Sequence, residues 1–329
     1  DYDEKASVGE GYSRIYGVGY AAGETEYSDI IMQETCVTVT WMKLCMQMLC
    51  LDGQSDFADC METSAFNALS AALNTEKNEG LPFDSYQPLL AGRRGRQTGG
   101  RMVFADRTIY GCCAAIASAG TALAEQFSVM QTKDAIVFQT YQNCTVNTTV
   151  AGHAFDVTVG TEYPADGRVA MRVDDDGGAP TGLWLRLPSF AKRFSLAING
   201  ITQNVPVSDG YLKLTVQKGD VIAFCMEMPV EMHAAEVNPD DPAAERHVAF
   251  TRGPVLLARD SRFGDGDLTE PLRDHVGPKR VGFRDGQVVP TFSAIRAPSD
   301  DMWMAFSATL PIGSHHENPE GQFPETVFF

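Results

Sequence analysis

Apolar side chains in this chain recur at two spacings, and the change falls close to residue 133. Before it, Val37, Trp41, Leu44, Cys45 and Met48 return every three or four positions. That spacing puts side chains on one side of a helix and predicts one over 34–51, closed by Asp52-Gly53. A second stripe of Phe57, Met61, Ala65, Leu69 and Leu73 predicts a helix from about Ser55 to Leu73, with Ser55 or Asp56 as N-cap. A third helix opens at Cys113, where Ala114-Ala115-Ile116-Ala117-Ser118-Ala119 runs into Leu123-Ala124-Glu125-Gln126. From about residue 135 the period becomes two. Ala135–Tyr141, His153–Val159, Arg168–Val173 and Leu183–Leu187 read as strands. Turn signals separate them at Pro164–Gly167, Asp176-Gly177-Gly178, Asn199-Gly200, Asp209-Gly210 and Lys218-Gly219-Asp220. Short strands at this rhythm predict a β-sandwich, with Asn199-Gly200 as a hairpin turn.

The rest of the chain fits around these blocks. Glycines at 9, 11, 17, 19 and 23 make residues 1–33 a loop region. Gly17-Val18-Gly19 has neither a strand before it nor the Lys-Ser/Thr ending of a phosphate loop. Residues 74–100, with Pro82, Pro88 and a glycine–arginine run, read as a long loop, either functional or a solvated excursion. A linker falls at Asn238–Pro242; a strand follows at Val248–Phe250 and then a small β-rich region to Phe329. The expected organisation is α+β. A partial helical domain spans 1–132, a β-sandwich 133–238 and a small β-rich domain 239–329.

Composition narrows the function classes. The 329 residues are 44% hydrophobic and 21% charged, as in globular domains. With 26 basic and 43 acidic side chains the net charge is −17, which argues against nucleic acid and anionic membrane surfaces as partners. The one basic cluster, Arg93-Arg94-Gly95-Arg96 with Arg101, is small. No stretch is apolar for the ~20 residues of a membrane-spanning helix. The first residues, Asp1–Lys5, do not read as a signal peptide, and the eight cysteines read as free or metal-bound thiols of a reducing compartment, so a cytoplasmic location is expected. The sequons at Asn143 and Asn147 weigh only weakly for secretion. Asp174-Asp175-Asp176 lacks the alternating ligands and closing glutamate of a calcium loop and reads as a solvated turn. His315-His316 has no thiol or carboxylate at ligand spacing.

The residues that carry chemistry sit at helix starts. Glu34-Thr35-Cys36 opens the first helix and Tyr110-Gly111-Cys112-Cys113 the third. Three thiols and one carboxylate make a tetrahedral donor set that suits zinc better than magnesium, calcium or manganese. A cysteine at a helix N-terminus meets the positive end of the helix dipole, which marks Cys112 as the candidate reactive thiolate. The other reading is that these are small buried core residues, as is expected of Cys45, Cys50 and Cys60.

The same residues resemble glycoside hydrolase family 127, the β-L-arabinofuranosidases. Gly23-Glu24, Glu34-Thr35-Cys36 and Tyr110-Gly111-Cys112-Cys113 follow the family's order, and Leu185-Arg186-Leu187-Pro188, Gly210-Tyr211-Leu212, Met228-Pro229-Val230 and Arg252-Gly253-Pro254 look like its C-terminal β region. The resemblance covers nearly the whole chain but only the C-terminal half of a typical member. It implies part of an (α/α) helical toroid followed by an antiparallel β-sandwich, and a retaining zinc-dependent glycosidase. Zn2+ would be held by Glu34, Cys36, Cys112 and Cys113, with Cys112 as nucleophile and Glu24 as acid/base. The segment from Glu24 to Glu34 is shorter than in the family, which makes Glu26 a rival, and Ala114-Ala115-Ile116 stands where the family often has Pro-Pro-Asn. The implied substrate is an oligosaccharide or glycan ending in β-L-arabinofuranose or a related sugar. A non-catalytic carbohydrate-binding protein with a structural zinc site, or one subunit of a split glycosidase, is the alternative. Two or three helices cannot bury their apolar faces alone, so an N-terminal helical half is expected, in the same polypeptide or a second chain.

Overall fold

The computed structural model describes residues 12–14, 31–72, 86–88, 101–103, 109–234, 248–257, 280–281, 291–298, 302, 304–313 and 323–328. They fall in two compact units. The first takes the described residues up to Pro229 and 253–255; the second takes the described residues of 230–252 and from 256 onward.

In the first unit, β2 (Ile31–Glu34) lies between β1 (Tyr12–Arg14) and β3 (Tyr86–Pro88) and runs straight into α1 (Thr35–Asp52). Gly53 ends α1: its φ is +72°, and its N–H donates to the Leu49 carbonyl at 2.9 Å, a left-handed closure that favours glycine. The next helix, α2 (Ser55–Ser64), starts one residue earlier than its composition suggests. Its N-cap is Gln54, with neither Ser55 nor Asp56 in that role, because both are already helical. Asp56 instead sits in the first turn, where a carboxylate meets the positive helix end. Nor does the stripe reveal that α2 loosens into a π-helical turn over Ala65–Leu69 before α3 (Ser70–Ala72). The Ser70 hydroxyl donates to the Ala65 carbonyl at 2.6 Å, and the Asn67 amide to Thr63 and Pro254 carbonyls at 2.8 Å each. β4 (Arg101–Val103) and β5 (Ile109–Gly111) pair antiparallel and lead into α4 (Cys112–Ser128).

The helices share one core: Val39, Met42, Cys45 and Leu49 of α1 meet Ala58 and Met61 of α2, Leu69, and Ala117 and Phe127 of α4. The α1–α4 approach depends on Gly120. A Cβ there would stand 2.5 Å from Val39 Cγ2, inside contact distance of a fully buried side chain.

The sandwich follows. One sheet takes β6 (Val129–Gln131), β7 (Ala135–Phe138), β11 (Thr181–Arg186), β14 (Val207–Ser208) and β15 (Tyr211–Val216) in the order β14-β15-β11-β7-β6. The other takes β8 (Cys144–Val150), β9 (His153–Thr161), β10 (Arg168–Asp175), β12 (Phe194–Ile198), β13 (Ile201–Thr202) and β16 (Val221–Met226) in the order β13-β12-β16-β10-β9-β8. Every pairing is antiparallel except β7 with β11, which is parallel. Alternate residues fill the core: Phe155, Val157 and Val159; Val169, Met171 and Val173; Leu183 and Leu185; Leu212, Leu214 and Val216; Ile222, Phe224 and Met226. Asn199-Gly200 and Asp209-Gly210 both have paired positive φ, the backbone that tight hairpins need. The Asp174–Asp176 carboxylates serve their own surroundings. Asp174 accepts from Thr158 at 2.7 Å, Asp175 pairs with Lys218 at 3.3 Å, and Asp176 accepts the Gly178 and Lys218 N–H groups at 2.9 and 3.0 Å.

The second unit is β-rich among the described residues. β17 (Val230–Ala234), β18 (Val248–Arg252) and β19 (Val255–Leu257) form one sheet. β20 (Arg280–Val281), β21 (Phe292–Ala294) and β23 (Phe323–Phe328) all pair with β22 (Phe306–Gly313). Phe250, Leu257 and Phe306 make its core, and the Arg252 guanidinium lies 5.5 Å from the Phe306 ring centroid. The 238–242 linker and His315-His316 lie outside the described residues, as does the expected 74–100 loop apart from Tyr86–Pro88, which form the strand β3.

Candidate functional site

Both chemistry-bearing clusters occupy strand-to-helix junctions. Glu34 is the last residue of β2, paired with Tyr86, and Cys36 is the second residue of α1. Residues two apart would diverge on a regular helix. Here the extended chain ends between them, so the junction escapes that restriction. Cys112 and Cys113 are the first two residues of α4, directly after β5. A strand feeding a helix without a loop holds the first helical turn at a defined place, with its backbone N–H groups unpaired inside the helix. The helices that carry these clusters pack on each other at Gly120 and Val39.

Of the four candidate ligands, Cys36 alone has a described side chain. It is half-buried and in no disulfide, and its carbonyl accepts the Thr40 hydroxyl at 2.8 Å. The side chains of Glu34, Cys112 and Cys113 lie outside the described set, as do Glu24 and Glu26 entirely. Among the described residues no three His, Cys, Asp or Glu side chains gather as a metal site. Three sulfurs and one carboxylate, if these junctions bring them together, would make a donor set suited to zinc.

The remaining cysteines of the helices divide. Cys45 is fully buried and Cys60 half-buried, as core residues should be, whereas Cys50 is exposed, contrary to the core role expected of it. Cys45 and Cys60 touch across α1 and α2. The hydrogen bond to Cys60, reinforced by burial, pushes the Cys45 thiol up, and the same bond lowers Cys60.

A charged cluster that the sequence pattern does not announce joins the helices to the sandwich. The Arg186 side chain, fully buried, donates to the Gln139 carbonyl, to Asp59 and to Glu62, which is itself 1% exposed. Glu62 also accepts from Thr140 at 2.5 Å and Tyr163 at 2.7 Å. Burial would depress the guanidinium, but Glu62 and Asp59 outweigh it and hold Arg186 above its ordinary range. Burial pushes Tyr163 and Tyr141 up, so both stay protonated donors. The available signals were slight: Glu62 stands beside Met61 in the buried stripe, and Arg186 takes the position alternating with core Leu185.

Comparison with known proteins places this architecture. The fold is that of glycoside hydrolases. A β-L-arabinofuranosidase from Geobacillus stearothermophilus T6 superposes with a TM-score of 0.65 at 19% identity, over 90% of this chain and 46% of that one. A second β-arabinofuranosidase structure gives 0.64 at 18% identity, over 90% and 45%. A structure described as a glycoside hydrolase gives 0.69 at 18% identity, over 98% and 56%. Residues 15–122 match the catalytic domain and residues 135–228 the middle domain of the β-L-arabinofuranosidases of family GH127. The chain belongs to glycoside hydrolase family 127. A non-reducing end β-L-arabinofuranosidase of Bifidobacterium longum subsp. longum is 23% identical over 248 residues, 73% of this chain and 37% of its own length. The chain therefore spans less than half of that curated relative.

Proposed function

We propose that the protein is a retaining glycoside hydrolase that removes terminal β-L-arabinofuranosyl or related residues from plant-type glycans. The observation that carries the proposal is the pair of strand-to-helix junctions: Glu34-Thr35-Cys36 and Cys112-Cys113 head two helices that share a core, inside the stretch that matches the family's catalytic domain. Glu34, Cys36, Cys112 and Cys113 would hold Zn2+. Bound there, the ion supplies Lewis acidity that favours deprotonated sulfur. The Cys112 sulfur attacks the anomeric carbon as the bond to the leaving oxygen breaks. Glu24, with Glu26 as rival, donates a proton to that oxygen. The same carboxylate then takes a proton from water, whose oxygen displaces sulfur from the opposite side. Two inversions give net retention. In this proposal the chemistry belongs to residues 1–132, with 133–238 and 239–329 as supporting β domains, and the setting is cytoplasmic.

Further helices complete the site in this reading. Val37, Leu44, Met48 and Leu51 lie along α1 away from its buried stripe, while Trp41 between them packs against the helical core. Leu44 and Leu51 are 47% and 80% exposed among the described residues. A helix apolar on two sides calls for packing on both. An N-terminal helical half, in the same polypeptide or a separate chain, would cover it. A monodisperse 35.8 kDa monomer that hydrolyses substrate would refute that requirement.

The test of the activity is hydrolysis of an aryl β-L-arabinofuranoside by the native protein and by Cys112→Ser. The proposal expects hydrolysis to vanish in the variant while circular dichroism is unchanged. A variant as active as the parent defeats the nucleophile assignment. Saccharide binding without hydrolysis by the native protein, supplied with any N-terminal half, would favour the carbohydrate-binding alternative.

A further inference from the structure

The C-terminal end of α1 carries a cleft that the chemistry above does not use. Its volume is ≈ 390 Å³, within the range of small-molecule sites, and Leu49, Cys50, Gln131, Gln139, Trp184 and Tyr211 are among the residues that line it. Cys36 and Cys50 are fourteen residues apart on one helix, so the cleft lies roughly 20 Å from the candidate catalytic end at 1.5 Å per residue.

Its lining is built from three kinds of group. Trp184 is half-exposed, alternates with the core residues Leu183 and Leu185, and is braced by the Tyr211 ring at 6.1 Å and by Lys213 Nζ at 4.5 Å. Gln139 is 3% exposed. Its Oε1 accepts the Tyr211 hydroxyl at 2.9 Å, while its Nε2 reaches only the Met130 thioether at 3.7 Å, a weak acceptor. The amide group carries two N–H donors, and among the described residues the Met130 thioether is the acceptor they have. Among the described residues that line the cleft none is acidic or basic, and the Lys213 ammonium lies against its wall on the Trp184 ring.

These features select a ligand class. A cation would lose hydration and find no counter-charge among the described lining residues, and an anion would find only Lys213, which is already held against the Trp184 ring. A purely apolar one would leave the Gln139 amide with no acceptor beyond the weak Met130 thioether. A sugar ring offers a C–H face for an aromatic ring and hydroxyl oxygens for the amide. We propose that this cleft binds one unit of a neutral saccharide, held by Trp184, Gln139 and Tyr211, as a subsite remote from the candidate catalytic residues. The choice of arabinose as probe rests on the proposed function; the cleft chemistry does not.

Cys50, exposed and on the cleft, reports occupancy without turnover. The full chain is labelled with a maleimide, and the rate at the Cys50 peptide is read by mass spectrometry with L-arabinose, with a short arabino-oligosaccharide, and with glycerol as control. The expected result is that a sugar slows labelling by roughly tenfold at about ten times its dissociation constant, because few sites remain open. Glycerol should have no effect. Trp184→Ala should weaken the protection about tenfold or more, as truncating an aromatic anchor does, and Trp184→Phe should restore part of it. Equal rates with and without sugar, equal protection by glycerol, or protection that survives Trp184→Ala would each overturn the inference. Hydrolysis without Cys50 protection sinks only the subsite, and protection without hydrolysis, once any N-terminal half is supplied, sinks only the proposed activity.

Discussion

Replacing Arg186 by Met tests how the helices are fastened to the sandwich. Arg186 makes three side-chain contacts, to the Gln139 carbonyl, Asp59 and Glu62, and the side chains of Arg186 and Glu62 are 0% and 1% exposed. Met has a similar reach but no charge, so Glu62 would stay buried with only Thr140 and Tyr163 as donors, both to one oxygen. Removing one member of a buried pair costs about 3–5 kcal/mol, chiefly from the stranded partner. Asp59 adds less, being 19% exposed and able to turn to water. At about 2–4 °C per kcal/mol, the melting temperature should fall by roughly 6–20 °C. The double variant Arg186→Met, Glu62→Gln leaves no buried charge and should recover part of the loss, with a coupling of about 0.5–3 kcal/mol. Thermal melts followed by far-UV and near-UV circular dichroism give these values for the parent, both single variants and the double. An Arg186→Met cost below about 1 kcal/mol, or strictly additive effects, would refute the claim that these charges act as one buried unit.

Other outcomes follow from the same reasoning. Gly120→Ala puts a Cβ 2.5 Å from buried Val39 Cγ2 and should destabilise by about 1–3 kcal/mol in urea titration, partly recovered by Val39→Ala. The Lys218 and Gly178 N–H groups hold the Asp176 carboxyl below its ordinary value. Its folded value is the lower one, so its stabilisation is present above about pH 4 and lost as pH falls through the folded value. Asp176→Asn should lower stability at neutral pH and flatten that acid limb in pH-dependent melts. If the ligand set is right, metal analysis should find about one zinc per chain, and a chelator should lower the melting temperature of the parent more than of Cys36→Ala. Equal shifts would count against Cys36 as a ligand.

Periodicity carried the passage from helices to strands, though on α1 it picked a stripe of which only Cys45 is in the buried core. The change from helical to alternating spacing near residue 133 reports which side of each element is apolar, and Gly53, Asn199-Gly200 and Asp209-Gly210 mark places where positive φ is needed. These are local properties, legible from neighbours in the chain. The helix starts at Glu34-Thr35-Cys36 and Cys112-Cys113 were legible for the same reason. The N-cap at Gln54 and the π-helical turn at Ala65–Leu69 were not, because propensity is weaker than the packing and distant hydrogen bonds that shift a boundary. Only the tertiary structure decided which charges are buried. Nothing near Glu62 in sequence shows that Arg186, 124 residues away, will meet it, nor that Gln139, Trp184 and Tyr211 will wall one cleft with the end of α1. Desolvation and its compensation are properties of an enclosed volume, and a volume exists only once distant segments have closed around it.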